Sequence, residues 1–342
     1  MSGARAEAQL ALPGVAVDAA AEAEWVWTED PLEDAVTQEF AHVTVMRDEV
    51  RDAVVTLPEM TGVVVDCTLG GGGHTRALLE KAPNVRVIAF DRDDVALAST
   101  KVALAAFGDR VTFVRSPFGR IREALDELGI ARVDGLCADL GVSSPQLDEA
   151  SRGMSFRREG PIDMRMDQSS GETALDLIAE LSDDELADVI FRYGDERRSR
   201  RIARSVKKAY ADGELVTTLD LRRAVVRAVG PQRVGGVDPA TRTFQALRIR
   251  VNDELGQLEA LLEALPNVLV EGANAAILSF HSHEDRLVKR AFQKGPFVPL
   301  TKKPQVATEA ECVENPRSRS AKLRAATFSS EAPRRYERGG DE

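Results

Sequence analysis

The run Val63-Val64-Val65-Asp66-Cys67-Thr68-Leu69-Gly70-Gly71-Gly72-Gly73-His74 decides how the rest of the chain is read. Three β-branched residues followed by an acid predict a strand buried on both faces, as in a parallel sheet, with the acid where the strand leaves the core. Four glycines follow at once. Without Cβ atoms the backbone takes positive φ and lets a ligand lie against the main chain, so the loop reads as the floor of a nucleotide-type site.

A dinucleotide fingerprint requires Gly-x-Gly-x-x-Gly or Ala, and no frame supplies it. Counted from Gly70 the third position is Thr75, from Gly71 it is Arg76, and from Gly72 the second position is His74. What fits is Asp66-x-x-x-Gly70-x-Gly72, which resembles the pattern of Rossmann-like methyltransferases that bind S-adenosylmethionine, a ligand without a pyrophosphate. A second strand, Val85-Arg86-Val87-Ile88-Ala89-Phe90, ends in Asp91. Two readings of Asp91 stand: an acceptor for both ribose hydroxyls, or a cap on a helix running from Arg92 to Leu97.

The chain has 342 residues, 43% of them hydrophobic, enough for one large domain or two ordinary ones with a real core. Cys67, Cys137 and Cys312 are far apart, and the first two lie in predicted strands. They read as buried thiols of a reducing compartment, with neither a disulfide frame nor a zinc set. No run of eighteen apolar residues exists to span a membrane, and Pro13, Asp18, Glu22 and Glu24 break the alanine-rich start that imitates a signal peptide. The expected location is the cytoplasm.

The net charge of −11 is unevenly placed. Residues 1–40 hold nine acids and one base, or −8, which leaves 44 bases against 47 acids, or −3, in the remainder. An acidic, alanine-rich head of this kind reads as a disordered extension, because it buries too little surface to offset its ordering entropy. Trp25 and Trp27 sit inside it, placed to dock on the body or on a partner.

From His42 onward the chain is regular. Helices are expected over Asp48 to Leu57, His74 to Lys81, Asp93 to Phe107 and Ile121 to Leu128, and further strands over Arg110 to Arg115 and Val133 to Ala138, the latter ending in Asp139. This alternation predicts a doubly wound parallel sheet, whose site lies at the strands' carboxyl ends. Asp66, the glycine loop, Asp91, Phe118 and Asp139 all fall just after a strand and therefore share one crevice. Phe118 is either ordinary core or a ring beside a purine.

After Asp139 the pattern breaks. Leu140 to Gln146 reads as a loop, and helical segments follow at Ala174 to Leu181, Asp183 to Tyr193, Arg197 to Tyr210 and Thr218 to Val229, with Ser182 and Thr217 or Thr218 where N-caps belong. The sheet resumes with a helix from Asn252 to Leu265, stopped by Pro266, a strand from Ala275 to Phe280, and a last strand from Ala321 to Phe328. The expected organisation is a head at 1–40, a first sheet part at 41–147, an all-helical insert at 148–248, a second sheet part at 249–330 and a loose tail at 331–342. In the insert, Arg197, Arg198, Arg200, Arg201, Arg204, Lys207 and Lys208 crowd twelve positions. They form either a solvated face or a surface for phosphates. The loop Ser151-Arg152-Gly153-Met154-Ser155-Phe156-Arg157-Arg158-Glu159-Gly160-Pro161 mixes arginines with apolar residues and suits an extruded base.

These segments together resemble the MraW/RsmH family of small-subunit (16S) ribosomal RNA cytosine N4-methyltransferases. The resemblance rests on His42-Val43-Thr44-Val45, Asp66-x-Thr68-x-Gly70-x-Gly72-Gly73-His74, Asp139-Leu140-Gly141-Val142-Ser143-Ser144-Pro145-Gln146-Leu147-Asp148, Gly160-Pro161-Ile162-Asp163-Met164-Arg165-Met166-Asp167, Pro239-Ala240-Thr241-Arg242-Thr243-Phe244-Gln245-Ala246-Leu247-Arg248-Ile249 and Ser279-Phe280-His281-Ser282. They run in order from about residue 41 to 328. The chain departs from the pattern at Ile162, Asp238 and His283, where leucine, histidine and leucine are usual. The resemblance implies a Rossmann-like α/β sheet with an inserted all-helical substrate-recognition domain, S-adenosylmethionine as cofactor, and 16S ribosomal RNA in the small ribosomal subunit as partner. Carried over by matching motif, cofactor contacts fall to Gly72, Gly73, His74, Asp91, Phe118, Asp139 and Gln146. For oligomeric state a homodimer is one option.

The chemistry agrees with that implication. An aryl amine has its lone pair delocalised into the ring, so attack on a sulfonium methyl calls for acceptors that hold the NH₂ and for in-line placement. Related amino-methyltransferases carry Asp/Asn/Ser-Pro-Pro-aromatic after the fourth strand, whereas here Ser144-Pro145-Gln146 or Asp139 occupies that region. Asp139 is the candidate catalytic acceptor, and a purely cofactor-binding acid is its competing reading. His281-Ser282-His283-Glu284-Asp285 has residues for zinc, yet Ser282 with Asp285 also resembles a capping box. Ser143, His281 and Asp139 lack the nucleophile elbow of a hydrolase. Two other functions stay open: methylation of DNA or another RNA, and a non-catalytic RNA-binding assembly factor.

Overall fold

Alternate residues of the first strand decide which layer each helix joins. In the computed structural model, which describes residues 44–231 and 238–332, Val63 and Val65 point to one face of the sheet and Val64 to the other. This is the two-residue period of a strand covered on both sides. The chain begins with α1 (Arg47–Val54), β1 (Gly62–Asp66), α2 (Gly73–Lys81), β2 (Val85–Asp91), α3 (Asp94–Ala103), β3 (Val111–Arg115), α4 (Ile121–Glu127) and β4 (Val133–Asp139). Then come α5 (Ser144–Asp148), α6 (Ala174–Glu180), α7 (Asp183–Gly194), α8 (Ser199–Ala211), α9 (Thr218–Val229) and α10 (Thr241–Asn252). It closes with α11 (Glu254–Val268), β5 (Leu269–Ser279), α12 (Ser282–Lys294), β6 (Phe297–Pro299), α13 (Glu309–Glu314) and β7 (Lys322–Phe328).

The seven strands lie in the order β3-β2-β1-β4-β5-β7-β6. β1 pairs in parallel with β2 on one side and β4 on the other, so the winding reverses between β1 and β4. A crevice opens outside the carboxyl ends of the strands at such a reversal. Val64 packs with Val50 and Val54 of α1 and Leu78 and Leu79 of α2. Val63 and Val65 pack with Leu125 of α4, Leu261 and Leu265 of α11 and Phe292 of α12.

The helices between β4 and β5 have a core of their own. Leu177 and Ile178 of α6, Leu186 and Ile190 of α7, Ile202 and Val206 of α8, Leu221 and Val225 of α9 and Phe244 and Leu247 of α10 share one cluster. Thr173, Ser182 and Thr217 each start a helix with a capping box, closed by Asp176, Glu185 and Asp220 three residues on. Asn252, 6% exposed, holds the end of α10 to the preceding loops. Its amide donates to the Met164 and Arg248 carbonyls at 2.8 and 2.9 Å and accepts the Met166 N–H at 2.7 Å, while its own carbonyl accepts from Arg92 at 2.9 Å.

Several expectations need correction. The sheet is mixed, since β7 runs antiparallel to both β5 and β6. The helix expected to reach Phe107 stops at Ala103 and a 3₁₀ stretch follows to Arg110, bent at Gly108 with φ of 54°. Pro266 lies inside α11, where fully buried Leu265 and Val268 hold the last turn in spite of the missing N–H. α10, read above only as a family segment, lacks a capping side chain at Ala240 and so gives no start signal. Leu140 to Gln146 is a loop only in its first half, because α5 begins at Ser144. The acidic head with Trp25 and Trp27, residues His42 and Val43, and the tail beyond 332 lie outside the described residues.

Replacing Asn252 by Ala takes their partner from the buried Met164 carbonyl and the half-buried Met166 N–H. Urea unfolding is expected to show a loss of about 2 kcal/mol with an unchanged slope. A midpoint equal to wild type counts against the role given to this side chain.

Candidate active site at the carboxyl rim of the sheet

Three acids end the three strands that flank the reversal. Asp66 closes β1 and is 1% exposed, accepting the Thr75 hydroxyl at 2.7 Å and the Thr68 N–H at 3.1 Å. Burial pushes its carboxyl pKa up, opposed by the nearby His74 and by these two hydrogen bonds. Asp91 closes β2. Its Oδ1 accepts the Asp93 N–H and its Oδ2 the Gly70 N–H, each at 2.9 Å, and burial pushes its pKa up against the pull of those donors. With four acceptor sites and donors from Asp93, Gly70 and Arg92, the carboxylate keeps acceptor capacity for a ligand hydroxyl.

Asp139 closes β4. Its N–H donates to the Thr68 hydroxyl at 2.6 Å, its Oδ1 accepts the Gly141 N–H at 2.9 Å, and its Oδ2 lies 3.4 Å from His74 Nε2. His74 is 5% exposed, and neither ring nitrogen has a hydrogen-bond partner among the described residues. It stands in the first turn of α2, whose N-cap Gly72 offers no capping side chain. The free N–H groups of that turn carry the positive end of the helix dipole. Gly72 has φ of 78°, and a Cβ there would lie 2.6 Å from Thr100 Cγ2. A Cβ on Gly73 would lie 1.7 Å from Thr44 Oγ1. An unpartnered imidazole, an uncapped helix start and a floor closed to side chains fit a ligand with a carboxylate, hydroxyls and positive charge.

Gln146 comes to the same place from α5. Its amide donates to Asp93 Oδ2 at 3.1 Å and accepts the Ser143 N–H at 3.2 Å. Phe118 lies on the neighbouring β3 rim, half-buried against the core that α4 and α11 cover.

Sequence reasoning missed what lies under these groups. Asp93, not Asp91, is the N-cap of α3, taking the Val95 N–H at 3.0 Å. Its other oxygen meets the Arg152 guanidinium at 2.9 Å, with both side chains buried. Arg152 also donates to the Met166 carbonyl at 2.6 Å, so this arginine of the loop read as a base-binding segment is committed to the interior. Nothing local signals a pairing across 59 positions. Gly141 is the second omission: a Cβ there would lie 2.8 Å from the Phe280 ring.

The five residues His281 to Asp285 divide among three tasks. His281, rather than Ser282, is the N-cap of α12, boxed with Glu284. His283 Nε2 lies 3.3 Å from Asp195 Oδ2, and Asp285 bonds Arg324 at 2.7 Å. Glu254, His281 and Glu284 do bring three ligand atoms within 4.8 Å of one another. A guanidinium already serves that cluster: Arg248 bonds both Glu254 oxygens, at 2.7 and 2.8 Å. No hydrolase triad assembles, because Asp139 faces His74 and His281 faces Glu284.

The strand order, the acid-tipped strands and the glycine floor define a Rossmann-like methyltransferase whose methyl donor is S-adenosylmethionine. Residues 39–329 match the model of the MraW methylase family, and the chain belongs to that family. It is 63% identical over 286 residues to a ribosomal RNA small subunit methyltransferase H of Sorangium cellulosum, covering 83% of this chain and 90% of that protein. Proteins of the same name from Methylobacterium nodulans and Prochlorococcus marinus are 46% and 50% identical, over 83% and 84% of this chain and 89% and 93% of theirs. A solved rRNA methylase from Streptococcus thermophilus is 11% identical with a TM-score of 0.40, covering 84% of this chain and 99% of its own.

Gly72→Ala forces a side chain into a left-handed position against Thr100. The variant is expected to lose about 1–2 kcal/mol of stability and to give no heat with S-adenosylmethionine in calorimetry, where a normal isotherm would refute the floor assignment. A pH effect follows from His283, whose pKa burial holds below the ordinary 6.5 although Asp195 draws it upward. The unfolded chain takes up that proton first, so the contribution to stability is complete above pH 6.5 and is lost as pH falls below it. Urea midpoints at about pH 7.5 and about pH 5.5 should therefore differ less in His283→Leu than in wild type, and an equal difference removes His283 from the account.

Proposed function

We propose that the chain methylates the N4 amine of one cytidine in the decoding region of 16S ribosomal RNA, acting on the small ribosomal subunit. The observation that carries this reading is the 63% identity to a small-subunit ribosomal RNA methyltransferase over 90% of that protein's length.

The site residues take roles that their chemistry suits. The donor's carboxylate belongs at the uncapped start of α2, over Gly72, Gly73 and His74. Asp91 keeps lone pairs for the ribose hydroxyls, Phe118 flanks the purine, and Gln146 closes the pocket from α5. Asp139 is one-fifth exposed and directs Oδ2 toward the crevice beside His74, so it serves as the acceptor for the amine. When bound, the donor supplies an electrophilic sulfonium methyl. The amine nitrogen would take that methyl, the donor leaving as a neutral thioether with the electron pair of the broken carbon–sulfur bond, and the Asp139 carboxylate would take the proton the amine gives up. Asp139 holds an N–H of the amine and turns the nitrogen lone pair toward the methyl carbon. The α6–α10 helices, inserted between β4 and β5, are the part that meets the RNA.

The test is mass spectrometry of ribosomal RNA from cells with and without the gene. A methylated cytidine should vanish with the gene, return with the wild-type copy, and stay at least about a hundredfold slower to form with Asp139→Asn. RNA with the same cytidine modified in both strains defeats the proposal, and equal transfer to free DNA oligonucleotides would move it to another substrate.

A further inference from the structure

The arginine-rich run that the sequence placed on one helix divides in the structure. Lys207 caps α6, donating to the carbonyls of Ile178, Ala179 and Leu181 at 2.9, 3.2 and 2.6 Å. Lys208 pairs with Asp212 at 2.6 Å, and Arg198 bonds the Val229 carbonyl at 2.9 Å. Arg197, Arg200, Arg201 and Arg204 are exposed and have no carboxylate partner among the described residues. A second such set lies outside the insert, on α12. There the buried positions Glu284, Val288 and Phe292 mark the inner face, and Arg286, Lys289, Arg290 and Lys294 fall outside it, exposed and likewise without carboxylates.

Asp195 joins the two sets. It is the C-cap of α7, four residues before α8, and its Oδ2 lies 3.3 Å from both Ser282 Oγ and His283 Nε2 in the first turn of α12. Arg242 donates to its carbonyl at 3.2 Å, and Arg286 lies close enough to disfavour a proton on His283. The first turns of α8 and α12 therefore flank one point. That point is at the carboxyl rim of the sheet, since α12 starts three residues after β5, whose Leu278 pairs with Asp139. Residues 41–342, which carry −3 overall, thus keep seven uncompensated cations on two helices that start beside the crevice, whereas Lys294, three residues before Phe297 of β6, lies toward the opposite rim.

We infer that Arg197, Arg200, Arg201 and Arg204 of the insert and Arg286, Lys289 and Arg290 of α12 form one phosphate-binding surface that holds the RNA backbone beside the crevice. This rests on RNA being the substrate. It assigns part of the RNA grip to a helix of the sheet rather than to the insert alone. Phosphates suit such a surface because every contact releases condensed counter-ions whatever the sequence, so the grip positions the strand while the crevice selects the base.

The experiment measures binding of the full chain to small ribosomal subunits, and to a generic RNA duplex, across a salt series. The variants are Arg197→Gln with Arg201→Gln, and Arg286→Gln with Arg290→Gln. Arg86→Gln, on the opposite end of β2, is the control. Each pair should weaken binding at least about tenfold and lower the log–log salt slope by about 1.4 to 1.8, at about 0.7 to 0.9 per phosphate. Heat with S-adenosylmethionine should stay at the wild-type value, which certifies the fold, and Arg86→Gln should leave both slope and affinity unchanged. An unaltered slope in the α12 pair, in a chain that still binds the donor, overturns the inference and leaves that helix face merely solvated. If wild type methylates no ribosomal RNA, the proposed substrate fails separately. The duplex titration then still decides the surface, supporting it if the slope drops and refuting it if not.

Discussion

The 2.9 Å bond from the Gly70 N–H to Asp91 is the contact on which the crevice depends. It ties the loop after β1 to the end of β2 and fixes the turn that brings α2 back over the sheet. Only a backbone without side chains follows this path, with Gly70 and Gly72 both at positive φ. Thr68 makes the matching tie on the other side by accepting the Asp139 N–H. The glycine loop is therefore held by both neighbouring strand ends, and the three acids keep their spacing without a ligand to organise them.

The same network continues into the helical insert. Asp91 accepts the Asp93 N–H, and the Asp93 carboxylate takes Val95, Gln146 and Arg152. Withdrawing two charges from water costs more than a simple contact returns unless the remaining hydrogen bonds are satisfied, as they are here for Asp93. The arrangement places a covalently distant loop in fixed register with Asp91, the acid that ends β2. Asn252 does the same at the far end of the insert, where one amide holds α10 against the Met164–Met166 segment. The inserted helices and the loops at the carboxyl rim of the sheet consequently share a polar joint.

Much of this was legible in local patterns. Three valines and an acid mark β1, and the strand-end rule gathers Asp66, Asp91 and Asp139 without further assumption. Capping boxes at Ser182 and Thr217 announce their helices. Legibility failed where a local rule lost to packing. Pro266 did not stop α11 because buried leucine and valine hold the turn, and His281 took the cap one residue before the serine expected there. The basic run looked uniform in sequence, yet Lys207 turns inward to helix carbonyls while its neighbours face solvent.

By itself the sequence determined the α/β fold class, the glycine loop and the family, because these are written in residues close together along the chain. Only the tertiary structure decided which charges are partners. Arg152 met Asp93, Arg248 met Glu254, and Asp195 met the start of α12 across separations that no periodicity reports. The reason is physical. A strand or a cap is stabilised by its immediate neighbours, whereas a long charged side chain goes wherever the folded surface supplies an opposite charge or leaves it facing water.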